Sequence, residues 1–218
     1  MNVLFEDERF LAVDKPSGLL SARARGNEAA APTLAEVVAA QLGTTPLWVV
    51  HRLDRETSGV VLLAKNATAH RAACLAFEAR RVAKRYLLLA ARPPDPPAGV
   101  VQAALAPDPR RARRGAMAVA AHGKPATTRY QTLATTPAVT LVAAWPETGR
   151  THQIRVHMAH LGAPVLQDER YGAVDPALPL ARLALHAADL AIPSLCVFAT
   201  APWPEDLREV WPGPIPTE

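Results

Sequence analysis

Apolar and charged positions alternate from the start of the chain. Val3-Leu4-Phe5 and Phe10-Leu11-Ala12-Val13 flank the polar run Glu6 to Arg9, which predicts a β-hairpin. Lys15-Pro16-Ser17-Gly18 then breaks the pattern as a turn, and residues 23–32 read as a loop. Thr33-Leu34-Ala35-Glu36 is a capping box, so a helix runs from there to about Leu42. A short strand over Leu47–Val50 and an apolar strand over Val60–Ala64 bracket the polar, irregular stretch 51–58. Asn66 caps a second helix reaching about Arg81, with Ala and Leu on one face. Further strands are predicted over Arg85–Ala91, near 100–105, 117–121, 126–134 and 138–145, and over Leu183–Ile192. Pro93 to Gly99 is a proline-rich connection, and Thr151 to Leu161 reads as a helix. Strands dominate and helices do not alternate strictly with them. The expected class is α+β: a mixed, largely antiparallel central sheet with flanking helices and a cleft.

Two polar segments stand out against this apolar background. His51-Arg52-Leu53-Asp54-Arg55-Glu56-Thr57-Ser58-Gly59 lies between two strands, where a loop can present a carboxylate rigidly. The arginines at 52 and 55 favour the ionised form of Asp54, which suits a nucleophile or a base. The spacing leaves a second reading open, a turn aspartate capping Thr57 or Ser58. The other segment is Thr148-Gly149-Arg150-Thr151-His152-Gln153-Ile154-Arg155-Val156-His157. On a helix starting at Thr151, the side chains of Thr151, His152 and Arg155 project to one side. Arg155 can then face a carboxylate, while Arg150 and Gln153 can meet phosphate or a base edge. A solvated helix face is the alternative. Tyr86, after Lys84 at the start of a strand, can stack on a nucleobase or be an ordinary half-buried tyrosine.

Composition narrows the field. The 218 residues are half hydrophobic and carry a formal net charge of +4, a mild bias towards a polyanionic partner. Arg110-Arg111-Ala112-Arg113-Arg114 is the densest positive run and reads as a loop, either contacting RNA backbone or simply solvated. His51, His152, His157 and His160 invite a metal reading, but their spacing matches no zinc motif, and no metal is expected. Cys74 and Cys196 show no paired metal spacing and read as free thiols. The acidic start gives no signal-peptide pattern, and no apolar run nears the ~20 residues of a membrane helix. A cytoplasmic protein with no membrane partner is therefore expected. P-loop, G-x-G-x-x-G and G-x-S-x-G patterns are absent, which disfavours nucleotide hydrolases, dinucleotide enzymes and α/β-hydrolases.

Taken together, the segments resemble the RluA family of pseudouridine synthases. His51 to Gly59 is similar to its HRLD-x-x-TSG signature, Lys84-x-Tyr86 to its K-x-Y element, and Gly123-Lys124-x-Ala126-x-Thr128 to its GK-x-A-x-T strand. Thr148 to His157 resembles its TGRTHQIR-x-H block, Leu183-x-Leu185-His186-Ala187 its L-x-LHA strand, and Asp14 to Gly18 its KP-x-G turn. The resemblance implies that Asp54 is the catalytic aspartate, Tyr86 the aromatic against the target base, and Arg155 the partner of the aspartate. Arg52 falls where that family handles the flipped nucleotide. Arg55, Lys84, Arg150, His152 and Gln153 are expected at the RNA.

Two departures occur: Gln167 where glycine is usual, changing a turn, and Pro193-Ser194 where His-Pro is common. Many relatives carry an S4-type RNA-binding domain. The motifs here begin near residue 1, so residues 1–218 are expected to be a single catalytic domain, a monomer by default. The expected reaction is isomerisation of uridine in an rRNA or tRNA stem-loop, without cofactor, DNA or membrane. The rival class, a non-catalytic RNA-binding relative, predicts loss of the acid, the aromatic or the arginine; all three are present.

Overall fold

A computed structural model describes residues 1–23, 31–44, 46–172 and 174–216, with the backbone alone for 112–114. Most of the loop expected over 23–32 lies outside the described residues. In chain order the elements are β1 (Asn2–Glu6), β2 (Phe10–Lys15), α1 (Leu34–Leu42), β3 (Trp48–Val49), β4 (Ser58–Ala64), α2 (Ala67–Glu78) and β5 (Ala83–Ala90). Then come β6 (Ala98–Gln102), β7 (Leu105–Pro107), a 3-10 turn (Pro109–Arg114), β8 (Met117–Val119), β9 (Thr127–Thr135), β10 (Thr140–Pro146) and α3 (Gln153–His160). The chain closes with β11 (Leu185–Ile192), a 3-10 turn (Pro193–Leu195), β12 (Val197–Thr200) and α4 (Glu205–Val210). The expected α+β class holds, and the elements divide between two compact units.

The first unit comprises Met1–Lys84 and Ala187–Pro202. The predicted hairpin is β1 against β2, with the turn pinned by the Asp7 carboxylate, whose Oδ1 accepts from the backbone N–H of Arg9 and Phe10. β2 runs antiparallel to β4 from Phe10↔Ala64 to Lys15↔Gly59, and β12 runs antiparallel to β11. Every residue of β4 is buried, so it carries the continuous apolar run of a strand covered on both faces rather than an alternating one. Phe10, Ala12, Val60, Leu62, Leu190, Ile192 and Val197 form the core with the alanine face of α2, Ala69, Ala73 and Ala76. The expected leucine on that face is displaced: Leu75 is 53 % exposed. Asn66 caps α2 as predicted, its Oδ1 accepting from Ala69 N at 2.9 Å. The helix ends three residues before Arg81, because Arg80 turns into the left-handed region at φ +56.

The second unit comprises Arg85–His186 and the C-terminal stretch from Trp203. Here β5, β10, β9 and β6 pair in that order, each antiparallel to the next, and β7 pairs with β8. Leu87–Ala90 and Leu141–Ala144 are buried. α3 starts at Gln153, two residues later than the pattern predicts, because His152 takes left-handed φ +54 and cannot be its first turn. Thr151 and His152 therefore precede the helix, and the i, i+4 relation expected between Thr151 and Arg155 does not exist. Among the described residues, no helix is long and apolar enough to cross a membrane.

Candidate active site

In the first unit, the backbone on both sides of Asp54 is fastened to the turn that follows β2. Ser21 Oγ donates to Leu53 O at 3.0 Å and accepts from Leu53 N at 3.1 Å. The Arg55 carbonyl accepts from Gly18 N at 2.8 Å and from Lys15 Nζ at 3.1 Å. Lys15 Nζ donates also to Pro16 O and Leu19 O, at 2.9 and 2.8 Å. Its side chain has no exposed surface, so carbonyl oxygens solvate a buried ammonium in place of water. Arg55 Nε donates back to Gly18 O at 2.9 Å, and Ser17 Oγ donates to Glu56 O at 2.7 Å. Thr57 N closes the loop on the Asp54 carbonyl at 3.1 Å. The main chain of the loop is thus held by side-chain and backbone groups of residues 15–21, and Asp54 itself is half-buried.

Two neighbours complete this frame. His51 Nε2 accepts the Leu62 N–H at 3.0 Å, and the ring stacks on Phe77 at 4.9 Å. Burial first, and the charge of Lys84 second, push the His51 imidazolium down to about 3, so the ring stays neutral. Gly59 is required by its surroundings: φ is +112, and a Cβ there would lie 2.2 Å from the Ala187 carbonyl oxygen. Lys84 is half-buried and its ammonium is pushed down by burial. Arg52 is exposed.

In the second unit, Arg155 and Asp168 form a buried side-on pair, 5 % and 1 % exposed. Arg155 Nε donates to Oδ2 and Nη2 to Oδ1, both at 2.8 Å. Asp168 Oδ1 also accepts from the backbone N–H of Arg170 and Tyr171. The Tyr171 ring lies 5.2 Å from the Arg155 guanidinium carbon. Its hydroxyl accepts from Met117 N at 2.9 Å, leaving its proton to donate to His152 Nδ1 at 2.7 Å. Burial pushes the Tyr171 phenol up. Neither Asp168 nor Tyr171 emerges from sequence reasoning as a partner of Arg155. The available signal was that both remain beside the altered Gln167.

Gln153 is 4 % exposed, and both ends of its amide are engaged within the unit. Its Oε1 accepts from Thr148 Oγ1 at 2.6 Å and from Arg150 N at 3.0 Å. Its Nε2 donates to Thr127 O and Thr128 Oγ1, both at 2.9 Å. Thr128 Oγ1 passes the chain on to His157 Nδ1, whose Nε2 donates to Ala103 O. Gln153 therefore builds the turn that carries Arg150 instead of presenting its amide to a base edge. Arg150 is half-buried, with Nε donating to Pro125 O at 3.1 Å. Tyr86 is half-buried on β5, opposite Ala144 of β10.

The comparisons with known proteins agree with the motifs. Residues 9–160 match the family model for RNA pseudouridylate synthase. An uncharacterized RNA pseudouridine synthase of Chloroflexus aurantiacus is 42 % identical over 167 residues, 74 % of this chain and 52 % of the relative. The ribosomal large subunit pseudouridine synthase D of Nitrosomonas europaea is 35 % identical over 100 % of this chain and 63 % of its own length. The chain thus spans between half and two thirds of the length of these two relatives. The solved structure of human RNA Pseudouridylate Synthase Domain Containing 1 superposes with a TM-score of 0.78 at 30 % identity, covering 93 % of this chain and 83 % of that one. With its family match spanning the HRLD, K-x-Y and TGRTHQIR segments, the chain belongs to the RNA pseudouridylate synthase family, in its RluA-type branch.

Proposed function

We propose that the chain isomerises uridine in structured RNA to pseudouridine, with Asp54 as the catalytic carboxylate. The observation that carries this reading is the family match over 9–160, which includes Asp54, Tyr86 and Arg155 in motif positions. The fastening of residues 53, 55 and 56 by residues 15–21 supports it, because a catalytic group gains from a preset backbone.

In the reaction the N1–C1′ bond breaks, the uracil turns while held, and C5 bonds to C1′. The C5 hydrogen leaves as a proton and N1 gains one, so atoms balance without oxidant, reductant or co-substrate. The uridine must first leave its stack, at a cost of a few kcal/mol. Asp54 attacks C1′, or removes the C2′ proton on a route through a glycal; both routes need it ionised. Arg155 is assigned by the motif as the charge partner of Asp54, and Tyr86 as the surface that keeps the detached uracil stacked. Arg52, Arg55, Lys84, Arg150 and His152 are assigned to the RNA, and Gln153 to positioning Arg150. The substrate is an rRNA or tRNA stem-loop, met in the cytoplasm by a monomer whose residues 1–218 act as one catalytic domain.

The test is tritium release from bulk RNA labelled at uridine C5, taken from cells lacking this gene. Release by wild type and none by Asp54→Ala is the expected result. No release from wild type, with RNA binding intact, would move the chain to the non-catalytic RNA-binding class.

A further inference from the structure

The arginine run that follows β7 is anchored to the turn that holds Arg155. The 3-10 turn Pro109–Arg114 kinks at Arg111, which leaves helical geometry at φ −127 and ψ 24. Its Nη1 donates to the Arg170 carbonyl at 2.7 Å. The other end of the run returns to the same place: a Cβ on Gly115 would lie 3.8 Å from Arg170 Nη1. Asp108 N donates to Ala116 O at 2.9 Å, closing the loop at its base. Arg170 sits between Asp168, which grips Arg155, and Tyr171, whose hydroxyl meets His152. The basic run is therefore held beside that cluster rather than trailing from a hairpin tip.

Arg110 and Arg111 are exposed, and neither forms a salt bridge among the described residues. The nearest acid in sequence, Asp108, has its Oδ1 committed to the Arg110 backbone N–H at 2.9 Å. Asp168 is committed to Arg155. Glu169, next to Arg170 in sequence, is exposed. Arg113 and Arg114 add two more positive charges in sequence.

We propose that Arg110 and Arg111 form a phosphate-binding surface for the RNA backbone, held by the Arg111–Arg170 contact at the turn that anchors Arg155. This rests on the function proposed above and names how the RNA strand is gripped. Guanidinium groups presented from a short, fastened turn suit non-bridging phosphate oxygens and carry no base preference. The surface thus contributes to affinity for any RNA and leaves the choice of uridine to other contacts.

Salt dependence reads this directly, because each phosphate contact releases counterions. Binding of a uridine-containing RNA hairpin is measured across a salt series for wild type, Arg110→Gln and Arg110→Gln/Arg111→Gln. Arg71→Gln, an exposed arginine on α2, is the control for equal change in net charge. The expected slope of log K against log salt falls by about one in the single variant and about two in the double. Binding weakens roughly tenfold in the double variant, KM for tritium release rises in parallel, and kcat at saturation holds. Arg71→Gln keeps the wild-type slope. Slopes equal to wild type in both arginine variants overturn the proposal, and so does an equal change in Arg71→Gln, which would show only net charge. These outcomes concern the surface alone. Failure of wild type to release tritium, with normal salt slopes, would instead sink the catalytic reading.

Discussion

The guanidinium of Arg155 lies side-on against the carboxylate of Asp168, with two contacts of 2.8 Å inside the second unit. The two residues are thirteen apart in sequence and almost fully buried. A fork of this kind fixes the plane of the guanidinium, so Asp168 sets how Arg155 is aimed. Asp168→Asn keeps the shape and removes the charge that faces the buried guanidinium side-on. The loss is about 3 kcal/mol, which for a chain of this size lowers the melting temperature by roughly 6–12 °C. A misaimed Arg155 also lowers tritium release by about 100-fold. Thermal melts and release assays on the same preparation check both. A variant with unchanged melting and unchanged release would show that Asp168 neither holds nor aims Arg155.

Lys15 makes the corresponding prediction for the first unit. Its ammonium is shared by the carbonyls of Pro16, Leu19 and Arg55. Lys15→Met fits the volume but removes the charged donor from the Pro16, Leu19 and Arg55 carbonyls, the last of which keeps the Gly18 N–H. Hydrogen bonds to a charged donor contribute about 1.5–3 kcal/mol each, and part of this returns when the loop relaxes towards water. The expected destabilisation is about 2–4 kcal/mol, seen as a lower urea midpoint at unchanged m. The relaxation loosens the loop that carries Asp54, so kcat falls while affinity for RNA holds. A drop in affinity with normal kcat would place Lys15 at the RNA instead.

These two lysine and aspartate contacts mark where sequence reading stops. Local signals carried well: the Glu6–Arg9 turn, the Glu36 half of the Thr33 box, with Oε2 accepting from Thr33 N, and the Asn66 cap all involve partners within three or four residues. The pattern put Asp54 on a loop, Tyr86 on a strand and Arg155 on a helix, where they lie. Lys15 read only as part of a turn, because its third carbonyl comes from forty residues away. Arg155 read as facing a carboxylate, but Asp168 was not the acid named, because it arrives through the packing of a later turn. The start of α3 was misplaced for a physical reason. Thr151 has the side chain of a cap, yet the buried Gln153 amide holds the Thr148–Arg150 turn, and His152, just before the helix, takes left-handed backbone.

Gln167 stands where the resemblance leads one to expect glycine, and the structure explains both residues. Its φ is +57, a conformation glycine takes at no cost. The glutamine side chain offsets the strain: Nε2 donates to Asp175 O and Leu180 O, both at 2.8 Å, and Oε1 accepts from Asp175 N at 3.1 Å. Gln167→Gly relieves about 1–2 kcal/mol of backbone strain but loses three contacts of about 1 kcal/mol each. Gln167→Ala keeps the strain and loses the same contacts. Stability should therefore fall in the order wild type, glycine, alanine, with the last about 3 kcal/mol below the first. Urea denaturation of the three proteins ranks them. An alanine variant as stable as glycine would mean that the left-handed backbone carries no cost here.

Acid should unfold this protein partly through His51. The folded ring is held neutral down to about 3 by burial and by Lys84, whereas the unfolded residue titrates near its ordinary 6.5. Between those values the unfolded chain binds a proton that the folded chain refuses. Stability from this residue is then fully present above 6.5 and is lost as pH falls towards 3, never the reverse. The slope approaches about 1.4 kcal/mol per pH unit, or about 2 kcal/mol lost by pH 5. His51→Gln offers an oxygen to the Leu62 N–H and has no proton to gain. It is less stable than wild type at pH 7, having lost the stack on Phe77. Between pH 7 and pH 5 it should lose about 2 kcal/mol less than wild type, measured by urea midpoints at the two pH values. Equal acid losses in the two proteins would show that His51 is protonated in the folded state, and that its acceptor bond to Leu62 does not survive in solution.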